Sequence, residues 1–306
     1  MHQILRIVVV LAVLLTGCSS ADSTVGSETT TPQAPMTTLA PPPPETTTST
    51  STTSTTLPQP PTLETTPSAG DTVTTYRTSI VVTSEPGVIL TIGEGEIPTD
   101  DNGRVSIEVL SSPGDNNVQV SATNEAGLSA TSIVSFVFEP TPGWAVAIGD
   151  SVMLGTKPEI EKRIPGVEVD ATVSRQFSAA PEMIRSLVAG VSPPELIIIG
   201  LGTNGPARES DFDAIMEASA DVPLVAFINV RVPRQWEDTS NRVIAEGVAR
   251  YENAVLVDWY SVATDRDDLF SGDGVHPKQP GRVILAELIA NAVFPLGPPP
   301  LPVEEG

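Results

Sequence analysis

Three patterns of apolar and polar positions follow one another along the chain. From Ser19 to about Ser68 large apolar residues almost vanish, and Thr, Ser and Pro dominate, as in Pro41-Pro42-Pro43-Pro44 and Thr46-Thr47-Thr48-Ser49-Thr50. Such a segment has too little apolar surface to offset the entropy of ordering, which predicts a disordered, partly extended stalk over residues 18–71. From Thr72 to Glu139 short β-branched or alternating runs appear at 79–83, 88–92, 105–110, 118–122 and 133–138. Turn residues separate them: Pro86-Gly87, Asp101-Asn102-Gly103, Pro113-Gly114 and Asn124-Glu125-Ala126-Gly127. Closely spaced short strands predict a small antiparallel sandwich over 72–140. From Gly143 the period changes again. Continuous apolar runs at 144–148, 167–173, 196–199, 224–228 and 254–257 alternate with amphipathic stretches such as 180–189 and 239–251. This alternation predicts an α/β unit over 143–295, a three-layer, flavodoxin-like parallel sheet of about five strands with helices on both faces. Residues 296–306 are rich in Pro and Glu and read as a disordered, frayed tail.

The amino-terminal end fits none of these patterns. Arg6 precedes an apolar run at 7–15 that is too short for an ordinary membrane span. The run ends in Leu15-Thr16-Gly17-Cys18, followed by Ser19-Ser20. Small residues before the cysteine point to a lipoprotein signal peptide over 1–17, with Cys18 lipidated after cleavage. The alternative is a plain secretory signal with an incidental cysteine. Cys18 is the single cysteine of the chain, so the exported part would hold no disulfide and no catalytic thiol, and its stability would rest on packing. No later apolar run is long enough to span a bilayer. The expectation is a protein held by lipid at the outer face of a bacterial cell membrane, with the stalk lifting the folded part into a polymer layer.

Charge narrows the partners. The formal net charge is −22, from 16 basic and 38 acidic groups. Cleavage would remove Arg6, leaving 15 against 38, or −23. Such a surface repels nucleic acid and excludes it as a partner, while serving solubility.

The chemistry-bearing positions are few. Of two histidines, His2 lies in the segment to be removed, which leaves His276. It sits in Gly272-Asp273-Gly274-Val275-His276-Pro277, with a carboxylate three residues upstream. Gly149-Asp150-Ser151 directly follows the first predicted α/β strand. Gly149 permits a tight turn and Ser151 would open a helix, where backbone N–H groups face developing negative charge. Taken alone, Gly-Asp-Ser is also an ordinary helix cap, and Asp150 reads as shaping the turn. Leu201-Gly202-Thr203-Asn204-Gly205 follows the third strand; Asn204 either aims its amide at an oxyanion or serves a Gly/Asn turn. Asp258 ends a strand and reads as a local cap. All three motifs fall beyond the carboxyl ends of strands, where open parallel sheets form their sites. An acyl-transferring serine needs an imidazole base and a carboxylate to orient it, and the chain offers one imidazole with that neighbour. A metal site is disfavoured, because no second histidine or thiol completes a ligand set, and no cofactor is implied.

The combination of Ser151, Asn204 and Asp273 with His276 resembles the SGNH (GDSL-type) serine hydrolases. The resemblance covers about half of the chain. Gly149-Asp150-Ser151-Val152-Met153-Leu154-Gly155, Leu201 to Gly205 and Asp273 to Pro277 look most like the extracytoplasmic SGNH domains attached to membrane acyltransferases that O-acetylate cell-wall or surface polymers. Asn229-Val230-Arg231-Val232-Pro233-Arg234 with Trp236, and Val257-Asp258-Trp259, share that look. The resemblance implies that Ser151 is the nucleophile, that His276 accepts and returns its proton, and that Asp273 holds the imidazole. It implies an oxyanion hole built from the Ser151 N–H and the Asn204 side chain. In many relatives a glycine after the second strand adds a donor; the matching Val173-Ser174-Arg175-Gln176-Phe177 has none. Arg175 is a candidate substrate contact, loop organiser or structural ion pair. Arg231, Arg234 and Trp236 are candidates for the substrate rim or for packing. The stretch over 72–140 resembles bacterial Ig-like domains through Pro86-Gly87, Asp100 to Gly103, Gly114, Asn117 and Ala122 to Gly127. That implies a β-sandwich serving as a spacer or as a binding module.

The functional expectation is a lipid-anchored, extracytoplasmic serine esterase or O-acyltransferase acting on acylated envelope polysaccharide or small esters. Water as acceptor makes it an esterase, and a sugar hydroxyl makes it a transferase. The membrane-spanning module that feeds many relatives does not occur in this sequence, which tilts the reading toward hydrolysis or toward a separate acyl-donor membrane protein. The competing reading is a non-catalytic envelope-binding lipoprotein with an SGNH-like fold. Activity should fall in acid as His276 becomes charged, near the ordinary imidazole value of about 6.5.

Overall fold

The computed structural model describes residues 57–301. The signal peptide predicted at 1–17, the lipidation predicted at Cys18, most of the predicted stalk and residues 302–306 lie outside the described residues.

The first eight strands build two sheets. These are β1 (Glu64–Thr66), β2 (Asp71–Val73), β3 (Arg77–Thr83), β4 (Ile89–Ile92), β5 (Gly95–Pro98), β6 (Arg104–Leu110), β7 (Gly114–Thr123) and β8 (Ser129–Phe138). One sheet runs β1-β3-β6 and the other β2-β8-β7-β4-β5. Pairing is antiparallel except between β2 and β8. Alternating residues fill the space between the sheets: Ile80 and Val82 from β3, Val105, Ile107 and Val109 from β6, Val118, Val120 and Ala122 from β7, Val134 and Phe136 from β8. A period of two on each strand is what one buried face requires.

Order begins earlier than the Thr/Pro-rich composition predicts. In β1, Thr65 lies opposite Val82 of β3, so the stalk over 18–71 does not extend to its predicted end. Pro61 and Pro67 are buried, and the Glu85 carboxylate accepts from the Thr62 N–H at 3.2 Å and from its hydroxyl at 2.9 Å. Those bonds hold the Glu85 carboxyl below its ordinary value. Threonine is a sound strand residue once a neighbouring strand supplies the pairing.

The second portion is a five-stranded parallel sheet in the order β10-β9-β11-β12-β13. Its strands are β9 (Ala145–Gly149), β10 (Val167–Ala171), β11 (Leu196–Gly200), β12 (Leu224–Ile228) and β13 (Ala254–Val257). Counted within the portion this is the flavodoxin-like 2-1-3-4-5 order, whose switch point lies between the first and third strands. Central strands are buried on both sides, which explains their unbroken apolar runs. Ala145 and Ala147 of β9 and Leu196 and Ile198 of β11 pack with Ile160 of α1 (Ser151–Arg163) and Leu285 and Ile289 of α6 (Gln279–Val293). The alternate residues Val146, Ile148, Ile197 and Ile199 pack on the other face. There they meet Ile184 of α2 (Ala180–Val188), Phe212 and Ile215 of α3 (Glu209–Ala218) and Val243 and Ile244 of α4 (Glu237–Val248). A short α5 (Trp259–Ala263) follows β13.

The two portions share a core at the amino ends of the parallel strands. Tyr76 and Trp144 lie with ring centroids 5.4 Å apart, Phe138 meets Trp144 edge-on at 5.5 Å, and Phe294 stacks on Trp144 at 6.3 Å. The Tyr76 hydroxyl donates to Val293 O. Its N–H donates to the Glu195 carboxylate at 2.8 Å, and Arg77 donates to Pro223 O at 2.9 Å. Trp144, Glu195 and Pro223 immediately precede β9, β11 and β12. Leu296 packs against the sandwich core, and Ser112 Oγ donates to Gly297 O at 2.5 Å. Residues 296 and 297 are thus tied down, unlike the frayed tail predicted for 296–306, because the chain leaving α6 crosses the sandwich.

Candidate active site

The opposite end of the sheet gathers the three polar motifs. β9 ends at Gly149, where a Cβ would come within 2.2 Å of Met153 Cβ, so only glycine permits the turn into α1. Asp150 caps that helix by accepting the Val152 N–H at 2.9 Å. Ser151 is its first residue and half-buried. After β11, Asn204 turns its side chain back toward the same corner: Asn204 Nδ2 donates to Asp150 Oδ2 at 3.2 Å. Gln176 Nε2 donates to Asn204 O at 2.8 Å and fixes the backbone of that loop.

The third motif reaches the corner from a closed loop ahead of α6. Phe270 and Pro277 form an isolated bridge, and the Ser271 N–H donates to His276 O at 2.8 Å. Inside the loop, Asp273 Oδ1 accepts the Val275 and His276 N–H groups at 2.9 and 3.1 Å. Gly274 adopts φ 67°, the left-handed backbone this reversal needs. Asp273 Oδ2 lies 2.7 Å from His276 Nδ1, and His276 Nε2 lies 2.9 Å from Ser151 Oγ. A carboxylate only accepts, so the ring proton belongs on Nδ1, and Nε2 is left to receive the serine proton. The bond from His276, helped by the two backbone N–H groups, holds the Asp273 carboxyl far below its ordinary range. Asp273 therefore stays charged throughout the neutral range.

Ser151, Asn204, Asp273 and His276 thus come together as the motifs imply. Among the candidate rim residues, Arg175, Arg231 and Trp236 make hydrogen bonds within the fold. Arg175 donates to Asp170 Oδ1 at 2.7 Å, Thr172 Oγ1 at 3.1 Å and Gly149 O at 3.2 Å, and its side chain is 14% exposed. It ties the ends of β9 and β10 together. Arg231 donates to Gly274 O at 2.7 Å and to Asp267 Oδ1 at 2.9 Å, with its guanidinium 4.8 Å over the Phe270 ring. It clamps the histidine loop onto the segment after β12 and also lines the cavity near the end of that strand. Trp236 Nε1 donates to Gly202 O at 3.0 Å, so the indole pins the loop that carries Asn204. Arg234 is exposed and donates to its neighbour's carbonyl, Pro233 O, at 3.1 Å. Asp258 accepts from the Ser261 N–H at 3.1 Å and from Asn229 Nδ2 at 2.7 Å, in keeping with a local cap.

Two positioning contacts escape a reading of the sequence: Gln176 on the Asn204 backbone, and the second oxygen of Asp150 on the Asn204 amide. The loop after β10 holds Ser174 at φ 64°, the one left-handed non-glycine backbone among the described residues. It stands in the segment where the resemblance expects glycine. A cavity of about 30 Å³ is lined by Val152, Met153, Thr203, Ile228, Val230 and Trp259, among others. Among the described residues no cluster of three or more His, Cys, Asp or Glu side chains is placed to hold a metal ion.

The 2-1-3-4-5 parallel sheet carries at its carboxyl edge the serine, the asparagine and the Asp-x-x-His loop through which the sequence resembles the SGNH (GDSL-type) serine hydrolases. No protein-family model matches the chain. Its sequence relatives include a putative peptidoglycan O-acetyltransferase, YrhL, of Bacillus subtilis, 34% identical over 148 residues, which make up 48% of this chain and 23% of that protein. Peptidoglycan O-acetyltransferase OatA of Listeria monocytogenes is 35% identical over 148 residues, 48% of this chain and 24% of that protein. The chain thus spans about a quarter of the length of these relatives. Among solved structures, the C-terminal catalytic domain of Streptococcus pneumoniae peptidoglycan O-acetyltransferase A, with a methylsulfonyl adduct, is 22% identical. It covers 50% of this chain and 93% of that one, with a TM-score of 0.44. TesA is 20% identical over 50% of this chain and 98% of its own, with a TM-score of 0.41.

Proposed function

We propose that the chain is an extracytoplasmic serine esterase or O-acyltransferase that passes an acyl group through Ser151. The Ser151–His276–Asp273 relay, with contacts of 2.9 and 2.7 Å, is the observation that carries this reading. In the first half-reaction Ser151 Oγ attacks the ester carbonyl while its proton moves to His276 Nε2. Asp273 stabilises the imidazolium through Nδ1–H. The Ser151 N–H and the Asn204 amide receive the negative oxygen. Collapse breaks the ester bond, and His276 returns the proton to the departing alcohol, leaving acyl-Ser151. In the second half-reaction water or a sugar hydroxyl gives its proton to His276 and takes the acyl group. No step calls for a cofactor.

The names of the relatives support an acylated envelope polysaccharide, of the peptidoglycan kind, as substrate. Anchoring through lipid on Cys18, at the outer face of the cell membrane, remains our reading of the leader. No helix among the described residues is long and apolar enough to cross a membrane. We also take the sandwich to be a spacer of Ig-like type, because it sits on the edge of the sheet away from the site. A separate membrane protein would then supply acyl groups wherever transfer rather than hydrolysis occurs.

The test is turnover of p-nitrophenyl acetate by the purified protein and by Ser151→Ala, followed by acetate release from purified envelope polymers. Loss of both activities in the variant supports acyl transfer through Ser151. Equal rates in the two proteins would leave only a binding role for this fold.

A further inference from the structure

The scheme above leaves one buried charged group unused. Asp150 is 0% exposed. A helix cap needs a single acceptor, which Oδ1 provides to the Val152 N–H. Oδ2 is taken up instead by Asn204 Nδ2 at 3.2 Å. We propose that Asp150 is a positioning residue that sets which end of the Asn204 amide faces the reacting carbonyl oxygen. This rests on the acyl-transfer reading and adds to it a fifth residue that touches no substrate.

The argument is one of hydrogen-bond direction. An asparagine amide has two ends of nearly equal size, one donating and one accepting. Only the nitrogen end stabilises an oxyanion; the oxygen end repels it. A carboxylate accepts and never donates, so it pairs with the nitrogen end and rejects the flipped amide. Nδ2 carries two hydrogens. Asp150 holds one, and among the described residues the other has only Arg175 O at 3.5 Å, too long to hold it firmly. That second hydrogen is left for the negative oxygen that forms during reaction. Gln176 already fixes the backbone carbonyl of Asn204, so side-chain rotation is the freedom that Asp150 removes. Burial pushes the Asp150 carboxyl above its ordinary value despite the bonds from Val152 and Thr203. A serine or asparagine would cap α1 about as well without burying a charge.

This gives a test in which capping and positioning differ. Asp150→Ser keeps one cap acceptor and loses the second oxygen. Asp150→Asn keeps the cap but turns an NH₂ toward Asn204, which selects the flipped amide. With p-nitrophenyl acetate, positioning predicts a kcat loss of roughly 10-fold for Asp150→Ser and about 100-fold for Asp150→Asn, approaching the loss of an oxyanion donor. KM stays within about threefold, because an oxyanion contact acts in the transition state rather than on bound ester. Inhibition by phenylboronic acid, which forms a tetrahedral adduct on serine, weakens in the same order. In an Asn204→Ala background either Asp150 change adds less than about threefold, because both act through one amide. Wild-type kcat in Asp150→Ser and Asp150→Asn, or full additivity with Asn204→Ala, overturns the proposal. If one variant fails to fold, the other carries the same comparison. A Ser151→Ala control that retains full turnover would sink the acyl-transfer reading itself; an inactive control with fully active Asp150 variants sinks only the role given to Asp150.

Discussion

The two edges of the parallel sheet are built from opposite materials. At the amino edge Tyr76, Phe138, Trp144 and Phe294 are each at most 2% exposed and interlock the sandwich with the α/β portion. At the carboxyl edge the side chains are polar and partly open: the His276 side chain is 44% exposed and that of Asp273 49%. The first edge is held by buried aromatic area, which needs no particular direction. The second is held by hydrogen bonds whose direction matters: Arg175 to Asp170, Arg231 to Gly274, Asn204 to Asp150, Trp236 to Gly202. Packing at one end leaves the other free to spend its geometry on chemistry. Changes at the carboxyl edge should therefore alter rate far more than stability, and changes at the amino edge the reverse.

The comparison can be broken from either side. The largest effect belongs to Ser151→Ala, which should lower kcat on the order of 10⁴-fold or more while the melting temperature moves little. A melting temperature that collapses with the activity would mean that the two edges are not independent. Next comes Trp144→Ala, which should cost about 3–5 kcal/mol of stability by emptying the shared aromatic core. Its kcat per folded molecule, measured well below the melting transition, should match wild type; a parallel loss of kcat would show that the amino edge shapes the site. Arg231→Lys is smaller still. Lysine keeps the charge but cannot hold Gly274 O and Asp267 together, so kcat should fall about tenfold through a loosened histidine loop. Unchanged kinetics in that variant would remove Arg231 from the positioning network.

The smallest effect is one of stability and pH. Burial raises the Asp150 carboxyl, so the folded state holds that proton more tightly than the unfolded chain does. The associated stability is present in acid and is lost as pH rises from the ordinary carboxylate value toward the raised one. Asp150→Asn should therefore melt slightly higher than wild type at pH 7, with the difference vanishing near about pH 4. Thermal melts of both proteins between those pH values check the sign. Lower stability of the variant at pH 7 would show that the charge is needed for folding. Activity follows another rule. Asp273 remains ionised far into acid, so its own protonation should not shape the acid limb, and a limb that follows Asp273 would contradict that.

Much of the carboxyl edge was legible from residue order alone. Continuous apolar runs at β9, β11 and β12 announce strands covered on both faces, and in such sheets polar residues just past the strand ends face the switch point. Gly149-Asp150-Ser151 and Asp273 to His276 are local motifs, and their neighbours suffice to read them. What escaped is what depends on distant partners. Arginine 175 and arginine 231 carry the same side chain as any rim residue, and only the fold shows their guanidinium groups enclosed by carbonyls and carboxylates. The Thr-rich strand β1 resembles the stalk before it, because its order comes from pairing with β3 and not from its own apolar surface. The hairpin strand β5, Gly95–Pro98, lacks a β-branched run for the same reason. Nothing local in the sequence reveals that Tyr76 and Trp144 meet.

The most direct measurement is the mass of the protein quenched in acid shortly after mixing with p-nitrophenyl acetate, followed by peptide mapping. The account predicts one added acetyl group on the peptide containing Ser151, appearing with the burst of nitrophenol and absent in Ser151→Ala. An acetyl group mapping elsewhere, or steady turnover at full rate in that variant, would contradict it.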